Sequence, residues 1–150
     1  EINTAYTGRD PLVVSILNGS FIFTADLMRE LDWDPEIQFM RLSSYAGGMP
    51  STGQMRVLLD LEVPIENRDV LIVEDIVDTG RTLEWLRQSF LARGANSVRL
   101  ATLLYKEEAF RADTPPEYVG FTIPNAFVVG YGMDYKEHGR GLRHVYRLKS

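Results

Sequence analysis

Two adjacent carboxylic acids, Glu74 and Asp75, stand just before a run of small polar residues that reads Asp-Thr-Gly-Arg-Thr over 78–82. A carboxylate repels phosphate, but it binds sugar hydroxyls, a metal ion or a developing positive charge. The hydroxyls of Thr79 and Thr82 are donors for an anion. One short stretch therefore combines an anionic wall with a phosphate cradle, which is the chemistry of a sugar-phosphate site.

The elements on either side must position these groups. Residues 70–73 are apolar and mostly β-branched, which predicts a buried strand followed by an acidic loop. Apolar residues at helical spacing over 83–90, with Gly94 beyond them, predict a helix. The first N–H groups of a helix are unpaired and lie at its positive end, so they suit a phosphate dianion. A simpler interpretation stays open, in which Asp78 or Thr79 only caps the helix and the acids are solvated loop charges.

The whole string over 70–82 resembles the phosphoribosyl pyrophosphate (PRPP) binding motif of the type I phosphoribosyltransferases: apolar residues, two acids, then a loop ending in Thr-Gly-x-Thr. Asp78 is the form found in the hypoxanthine-guanine branch. The resemblance implies that Glu74 and Asp75 are catalytic residues that hold the ribose hydroxyls, directly or through metal. It implies that Asp78 is a catalytic residue that assists proton transfer at purine N7. The residues implied to bind the 5-phosphate are Thr79, Gly80, Arg81 and Thr82.

Composition excludes several classes of protein. The chain has 150 residues, 45% of them hydrophobic, and we expect one domain over residues 1–150, with the existence of a further N-terminal segment left open. The net charge of −5 argues against a general nucleic-acid binder or membrane-surface binder. The absence of cysteine excludes disulfides and thiolate chemistry. No apolar run approaches the about 20 residues of a membrane span, and no signal-peptide pattern opens the chain, so we expect a cytoplasmic protein.

Apolar runs alternate with helical patterns over the first hundred residues, which predicts an α/β fold with a largely parallel sheet. The predicted strands are 12–17, 37–42, 55–59, 70–73, 97–104, 118–121 and 127–129. A helix is predicted over 20–31 with Ser20 as its N-cap, and the glycine- and serine-rich stretch 43–54 is predicted to be a loop. Ligands bind outside the carboxyl ends of such strands. Unusual residues follow four of the predicted strands, at 18–19, 74–82, 106 and 131–134, which indicates one site assembled from distant segments.

The resemblance to hypoxanthine-guanine phosphoribosyltransferases extends over nearly the whole chain. Residues 17–20 match the family's pyrophosphate loop, in which a non-proline cis peptide exposes backbone N–H groups. This match implies that Asn18 and Gly19 bind substrate; an ordinary strand-to-helix turn is the alternative. Relatives often carry Lys at the positions of Asn18 and Ala126, so this chain departs from the family pattern there.

Residues 43–54 match the family's mobile lid, and Ser44 and Tyr45 are the substrate-binding residues carried over from it. A closing lid keeps water away from a reactive sugar cation. The alternative is a merely flexible surface loop.

Base recognition is implied for three residues near the carboxyl-terminal strands. Lys106 matches the Lys that donates to the purine 6-oxo oxygen, and an ammonium, which has donors only, favours 6-oxopurines over adenine. Phe127 matches the ring that stacks on the purine, and Val128 matches a residue whose backbone contacts the base edge. The alternatives are that Lys106 is a solvated strand end and that Phe127 belongs to the core.

The resemblance also implies a magnesium site and a residue that binds the pyrophosphate. Asp134 matches a ligand of Mg²⁺ shared with the pyrophosphate, with Glu74 and Asp75 as the other metal-binding carboxylates. Arg140 matches the Arg that contacts pyrophosphate. The alternative for Asp134 is a solvated acid in a turn.

Taken as a member of this family, the chain is expected to have the type I phosphoribosyltransferase fold, a mostly parallel twisted sheet flanked by helices with a small base-binding hood. It is expected to be a purine-salvage enzyme that moves the 5-phosphoribosyl group from PRPP to N9 of hypoxanthine or guanine, with magnesium as cofactor. Two alternatives stay open: a PRPP-binding regulatory protein of the same fold, and an enzyme that prefers xanthine. The expected partners are small-molecule substrates, and relatives imply a homodimer or homotetramer.

Overall fold

The fold comes from a computed structural model that describes residues 1–44 and 54–149. Within these residues, three α-helices accompany eight strands. The helices are α1 (Ile2–Ala5), α2 (Phe21–Glu30) and α3 (Arg81–Ala92), with a 3-10 turn at Glu107–Ala109. The strands are β1 (Leu12–Leu17), β2 (Ile37–Ser44), β3 (Met55–Leu59), β4 (Asp69–Val77), β5 (Ser97–Tyr105), β6 (Tyr118–Thr122), β7 (Val128–Val129) and β8 (Tyr146–Arg147).

Six strands form one sheet in the order β3-β2-β1-β4-β5-β6, in which only the β2–β3 pair is antiparallel. The prediction of an α/β fold with a largely parallel sheet is confirmed. The chain leaves β1 toward β2 on one side and returns to β4 on the other. The carboxyl ends of β1 and β4 therefore flank a topological switch point, where ligands bind in open α/β sheets.

Each face of the sheet is covered by a helix, because the central strands are apolar on both sides. Residues 70–73 of β4 are fully buried, and they alternate between two clusters. One cluster includes Leu83, Leu86 and Phe90 of α3, and the other includes Tyr6 and takes Phe23 and Leu27 of α2 against it. The strand is thus fixed between two layers, and the residues at its end are held in place.

Strand ends differ from the prediction in two places that affect the site. β4 continues to Val77, so Glu74 and Asp75 lie at the end of a strand instead of in a loop, because β5 pairs with β4 along this extension. β2 extends to Ser44, where it pairs with Met55 of β3. The prediction of a loop from 43 onward was therefore wrong for its first two residues, and its residues 45–53 lie outside the described part.

Strands β7 and β8 form a second, two-stranded antiparallel sheet. β8 and the short helix α1 were not anticipated, since both are too short to carry a periodic pattern. In residues 1–44 and 54–149, no helix is long and apolar enough to cross a membrane.

Candidate functional site

The loop after β4 and the start of α3 enclose a cavity of about 120 Å³, bordered by Glu74 and by residues 76–83. Helix α3 begins at Arg81, and no side chain caps its N-terminus. The alternative in which Asp78 or Thr79 is the N-cap is wrong, because Gly80 occupies that position. Uncapped N–H groups at the positive end of a 12-residue helix border this cavity, and they suit an anion such as phosphate.

Gly80 is required for a reason that the sequence did not reveal. Its φ of +87° lies in the left-handed region, and a Cβ there would overlap the ring of Phe110 and crowd Ala112. The neighbouring backbone is fixed as well, since Arg111 N–H donates to the carbonyl of Thr79 at 2.9 Å. The segment after β5 thus buttresses the anion-binding loop from behind.

Of the two carboxylates at the end of β4, Glu74 is buried and Asp75 is half-buried. Burial raises the pKa of Glu74 well above its usual range, and the negative charge of Asp75 raises it further. Burial also raises the pKa of Asp75, although hydrogen bonds to Glu74 and to the Ile76 N–H, at 2.8 Å, oppose the shift. The two neighbouring carboxylates repel each other, and a magnesium ion or a cationic sugar carbon would relieve this repulsion.

These oxygen donors fit Mg²⁺, a hard cation that keeps several waters and binds few protein carboxylates. Within the described residues, no three His, Cys, Asp or Glu side chains lie close enough to bind a metal by themselves. A magnesium ion here would therefore take its other ligands from substrate and water.

A second cavity, of about 200 Å³, adjoins the first. Ile76 and Asp78 border both, so the two cavities lie side by side. The residues around the second cavity are Asp75, Ile76, Asp78, Lys106, Phe127, Val128, Met133 and Asp134. A larger cavity of about 300 Å³ lies between α1, α2 and β6, and none of the predicted site residues borders it.

Lys106 is only 7% exposed, and its Nζ lies 3.1 Å from Oδ2 of Asp78. Its backbone N–H donates to the carbonyl of Val77 at 2.9 Å, which places it directly beside β4. The alternative of a solvated strand end is wrong for this Lys. The ammonium is held at the edge of the second cavity, where it can donate to a ligand.

Phe127 is 55% exposed, so the alternative that it belongs to the core is wrong. Its ring packs edge-to-face with Tyr135, with centroids 5.8 Å apart, and Phe127 borders the second cavity. Val128 begins β7 and pairs with Arg147 of β8. A planar apolar ligand can stack on Phe127 while its edge faces the strand.

Asp134 and Arg140, predicted separately, form an ion pair with Nη2 and Oδ1 3.4 Å apart. Asp134 also accepts from Glu137 N–H at 2.8 Å, and Arg140 donates to the carbonyl of Gly132 at 2.9 Å. The positive charge of Arg140 acts on Asp75 as well, opposing the rise in the pKa of that carboxyl. The pair therefore lies on the same side of the site as the end of β4.

The Leu17–Asn18 peptide is cis, as the resemblance implied. Asn18 is exposed, and the Cα of Gly19 lies directly against the Asp75 carboxylate, where a Cβ would overlap Oδ2. The loop after β1 and the end of β4 thus meet at the switch point without an intervening side chain.

Four of the predicted site residues border neither cavity: Asn18, Gly19, Ser44 and Arg140. Ser44 ends β2 and is exposed. Tyr45 lies outside the described residues.

Several residues that shape the site were given no individual role from the sequence. Met133 is buried beneath the second cavity, Phe110 supports Gly80, and Tyr135 packs on Phe127. Tyr131 donates a hydrogen bond to Asp26 of α2; burial and this carboxylate raise the pKa of Tyr131 to about 12, so its hydroxyl stays protonated. The aromatic residues around 127–135 were a signal for Tyr135, but nothing in the sequence links Phe110 to Gly80 or Tyr131 to Asp26.

Residues 1–136 match the family model described as the phosphoribosyl transferase domain. The chain belongs to this family. The match confirms the family that was predicted from the string over residues 70–82.

Similar proteins narrow the comparison within the family. The hypoxanthine-guanine phosphoribosyltransferase of Streptococcus mutans is 48% identical over 149 residues, which is 99% of this chain and 83% of that protein. A hypoxanthine phosphoribosyltransferase structure from Staphylococcus aureus superposes with a TM-score of 0.93 at 44% identity, covering 99% of this chain and 80% of that one. A mutant Trypanosoma cruzi hypoxanthine phosphoribosyltransferase, solved as a ternary substrates complex, gives a TM-score of 0.91 at 44% identity, with 99% and 84% covered.

Proposed function

We propose that this protein transfers the 5-phosphoribosyl group of PRPP to N9 of hypoxanthine or guanine, giving IMP or GMP and pyrophosphate. The observation that carries the proposal is a pair of neighbouring cavities at the carboxyl end of β4, the first beside an uncapped helix N-terminus and the second bordered by Phe127 and Lys106. A nucleoside monophosphate has the same order of parts: phosphate, sugar and base. The names of the similar proteins support the same activity.

The phosphate end of the substrate binds residues 79–82. Backbone N–H groups of the first turn of α3 and the hydroxyls of Thr79 and Thr82 donate to the 5-phosphate. Phe110 and Arg111 hold this loop from behind, so the donors are positioned before the substrate arrives.

The base end selects a 6-oxopurine. The purine stacks on Phe127, and the Lys106 ammonium donates to its 6-oxo oxygen. Adenine presents an amino group at this position, so it cannot accept from the ammonium and is disfavoured.

In the reaction, the bond from C1 of the ribose to the pyrophosphate oxygen breaks and a bond from C1 to N9 forms. The transition state resembles an oxocarbenium ion, and the carboxylates of Glu74 and Asp75 hold the ribose hydroxyls and stabilise its positive charge. Asp78, whose side chain is 49% exposed between the two cavities, assists the proton transfer at purine N7. Pyrophosphate leaves with the electron pair of the broken bond.

Magnesium, when bound, neutralises the leaving pyrophosphate. Asp134, Glu74 and Asp75 are the residues that would hold it, and the N–H groups of Asn18–Gly19 and the guanidinium of Arg140 bind the remaining charge of the pyrophosphate. Most of the rate enhancement then comes from fixed positions and fixed charges.

A spectrophotometric assay with PRPP, magnesium and hypoxanthine tests the proposal. Formation of IMP and pyrophosphate in equal amounts is expected, and adenine is expected to react at least a hundredfold more slowly. PRPP binding without turnover of hypoxanthine, guanine or xanthine would contradict the proposal and favour the regulatory protein. Competition among the three bases then decides whether xanthine is preferred.

We also propose that the protein is a homodimer or homotetramer in the cytoplasm. The edge strand β3 exposes three successive apolar residues, Val57, Leu58 and Leu59, which supports an interface on this side. Light scattering after size exclusion measures the oligomeric state, and cell fractionation tests the location.

A further inference from the structure

The turn between Gly130 and Met133 contains an unexpected residue. Two backbone bonds, at 2.9 and 3.1 Å, close the turn between these residues. Tyr131 and Gly132 between them have φ of +50° and +97°, the pattern of a type I′ turn. Asn, Asp or Gly is favoured at the first central position, and a bulky aromatic residue is disfavoured there. The Tyr131 side chain therefore makes a contact that the shorter side chains favoured at this position would not make.

The side chain of Tyr131 ties this turn to helix α2. Its hydroxyl donates to the carboxylate of Asp26, which lies 105 residues earlier and is otherwise half exposed, with Arg29 3.8 Å away. Helix α2 begins at Phe21, two residues after Gly19. The hydrogen bond thus joins the Gly130–Met133 turn to α2, the helix that follows the loop after β1.

The backbones of these two segments touch. A Cβ on Gly132 would overlap the carbonyl oxygen of Gly19, and Gly19 in turn lies against Asp75. Two glycines in contact have no side chains to hold them together. Arg140 donates to the carbonyl of Gly132 and pairs with Asp134, so the position of Gly132 also sets the position of that ion pair.

We propose that Tyr131 and Asp26 are positioning residues that hold the Gly130–Met133 turn against α2 and thereby set the spacing between the two pyrophosphate-binding segments. These segments are the loop at Asn18–Gly19 and the Asp134–Arg140 pair. The inference rests on the proposed function, which assigns both segments to pyrophosphate. Neither Tyr131 nor Asp26 borders either cavity, so they act on the substrate only through the segments that they hold.

Steady-state kinetics of five single variants, and of the double variant that combines Tyr131→Phe with Asp26→Ala, test this role. Tyr131→Phe and Asp26→Ala each remove the hydrogen bond, whereas Asp26→Asn keeps an acceptor at the same position. Tyr146→Phe is the matched control, because this half-exposed Tyr in β8 lies outside both cavities. Arg29→Ala controls for the second contact of Asp26.

Tyr131→Phe and Asp26→Ala are expected to raise the KM for PRPP about five- to tenfold, the effect of one lost hydrogen bond. The KM for hypoxanthine is expected to rise less, because only Met133 of this turn borders the second cavity. The double variant Tyr131→Phe/Asp26→Ala is expected to have the same KM for PRPP as each single variant, because both substitutions remove the same hydrogen bond. Asp26→Asn, Arg29→Ala and Tyr146→Phe are expected to resemble the wild type. Unchanged kinetics in Tyr131→Phe, or equal rises in both KM values, would overturn the inference.

Calorimetric binding of magnesium pyrophosphate separates this inference from the proposed function. Weaker binding by Tyr131→Phe and by Asp26→Ala supports the inference even if the wild type converts no hypoxanthine, a result that would overturn only the proposed function. Unchanged affinity in both overturns the inference. If Tyr131→Phe fails to fold, the comparison of Asp26→Ala with Asp26→Asn decides alone.

Discussion

The Nζ of Lys106 lies 3.1 Å from Oδ2 of Asp78, although 28 residues separate the two along the chain. The proposed base-recognition residue and the proposed proton acceptor are therefore paired in the free protein. A purine that enters this cavity can accept from Lys106 through its 6-oxo oxygen and face Asp78 through N7. The ligand would then bridge the two charges that the free protein pairs directly.

Replacement of Asp78 separates catalysis from folding. Asp78→Ala is expected to lower kcat by about 10² to 10⁴, the usual contribution of a positioned acid or base, while the protein still folds. Thermal stability is expected to fall, because the buried Lys106 ammonium loses its charged partner. Asp113→Ala, an exposed acid in the loop before β6, is the control. A variant with nearly normal turnover would exclude Asp78 from proton transfer.

Replacement of Lys106 tests base recognition. Lys106→Ala is expected to raise the KM for hypoxanthine about ten- to a hundredfold, because a charged donor to the 6-oxo oxygen is lost. The KM for PRPP is expected to stay within about twofold, since Lys106 borders only the second cavity. Lys149→Ala, at an exposed position near the end of the chain, serves as the control. An effect on PRPP alone would contradict the assignment.

The buried carboxylate of Glu74 makes stability depend on pH. Burial raises its pKa in the folded protein above the ordinary value of 4.5, so the protonated form favours folding. The stabilising contribution is full below 4.5 and is lost as the pH rises through the folded-state pKa. In metal-free buffer at neutral pH, Glu74→Gln is therefore expected to unfold at a higher temperature than the wild type.

Unfolding temperatures measured at lower pH test whether the effect of Glu74→Gln comes from the charge of the carboxylate. The advantage of Glu74→Gln is expected to shrink as the pH falls toward 4.5, and exposed Glu62→Gln is expected to show no such trend. An advantage independent of pH would mean that the variant stabilises the protein through packing. Loss of stability in Glu74→Gln at neutral pH would contradict the burial argument itself.

Packing at the switch point predicts a strong effect at Gly19. A methyl group there would overlap the Asp75 carboxylate, so Gly19→Ala must displace the end of β4 or the loop after β1. We expect kcat/KM for PRPP to fall by at least about tenfold, since a displacement of this size disturbs positioned groups. Gly141→Ala, with open space around the added methyl, is expected to behave as the wild type. Equal activity of the two variants would show that Gly19 does not fix the site.

The central strands could be predicted from the sequence, because short runs of apolar, β-branched residues are typical of buried strands. Among them, β1 has the predicted bounds and residues 70–73 of β4 are buried as expected. The edge strand β3 also has the predicted bounds. The end of β4 was misjudged because two carboxylates in succession usually mark a loop. Only pairing with β5, nearly thirty residues away, keeps Glu74 and Asp75 in the strand.

The parts of the site that lie in one contiguous motif were predicted from the sequence. The parts that depend on contacts between distant segments were not. The acids and the anion-binding loop come from one string of residues. By contrast, the support of Gly80 by Phe110 and the bond from Tyr131 to Asp26 join segments that share no local pattern. Lys106 could be named from the sequence, but its pairing with Asp78 could not.

The most direct test is a crystal structure of the protein with IMP. The account predicts the 5-phosphate at the backbone N–H groups of residues 80–82, the ribose hydroxyls beside Glu74 and Asp75, and the hypoxanthine ring on Phe127 with its 6-oxo oxygen within hydrogen-bond distance of Lys106. A nucleotide bound with its phosphate away from the start of α3, or with its base outside the second cavity, would contradict the account.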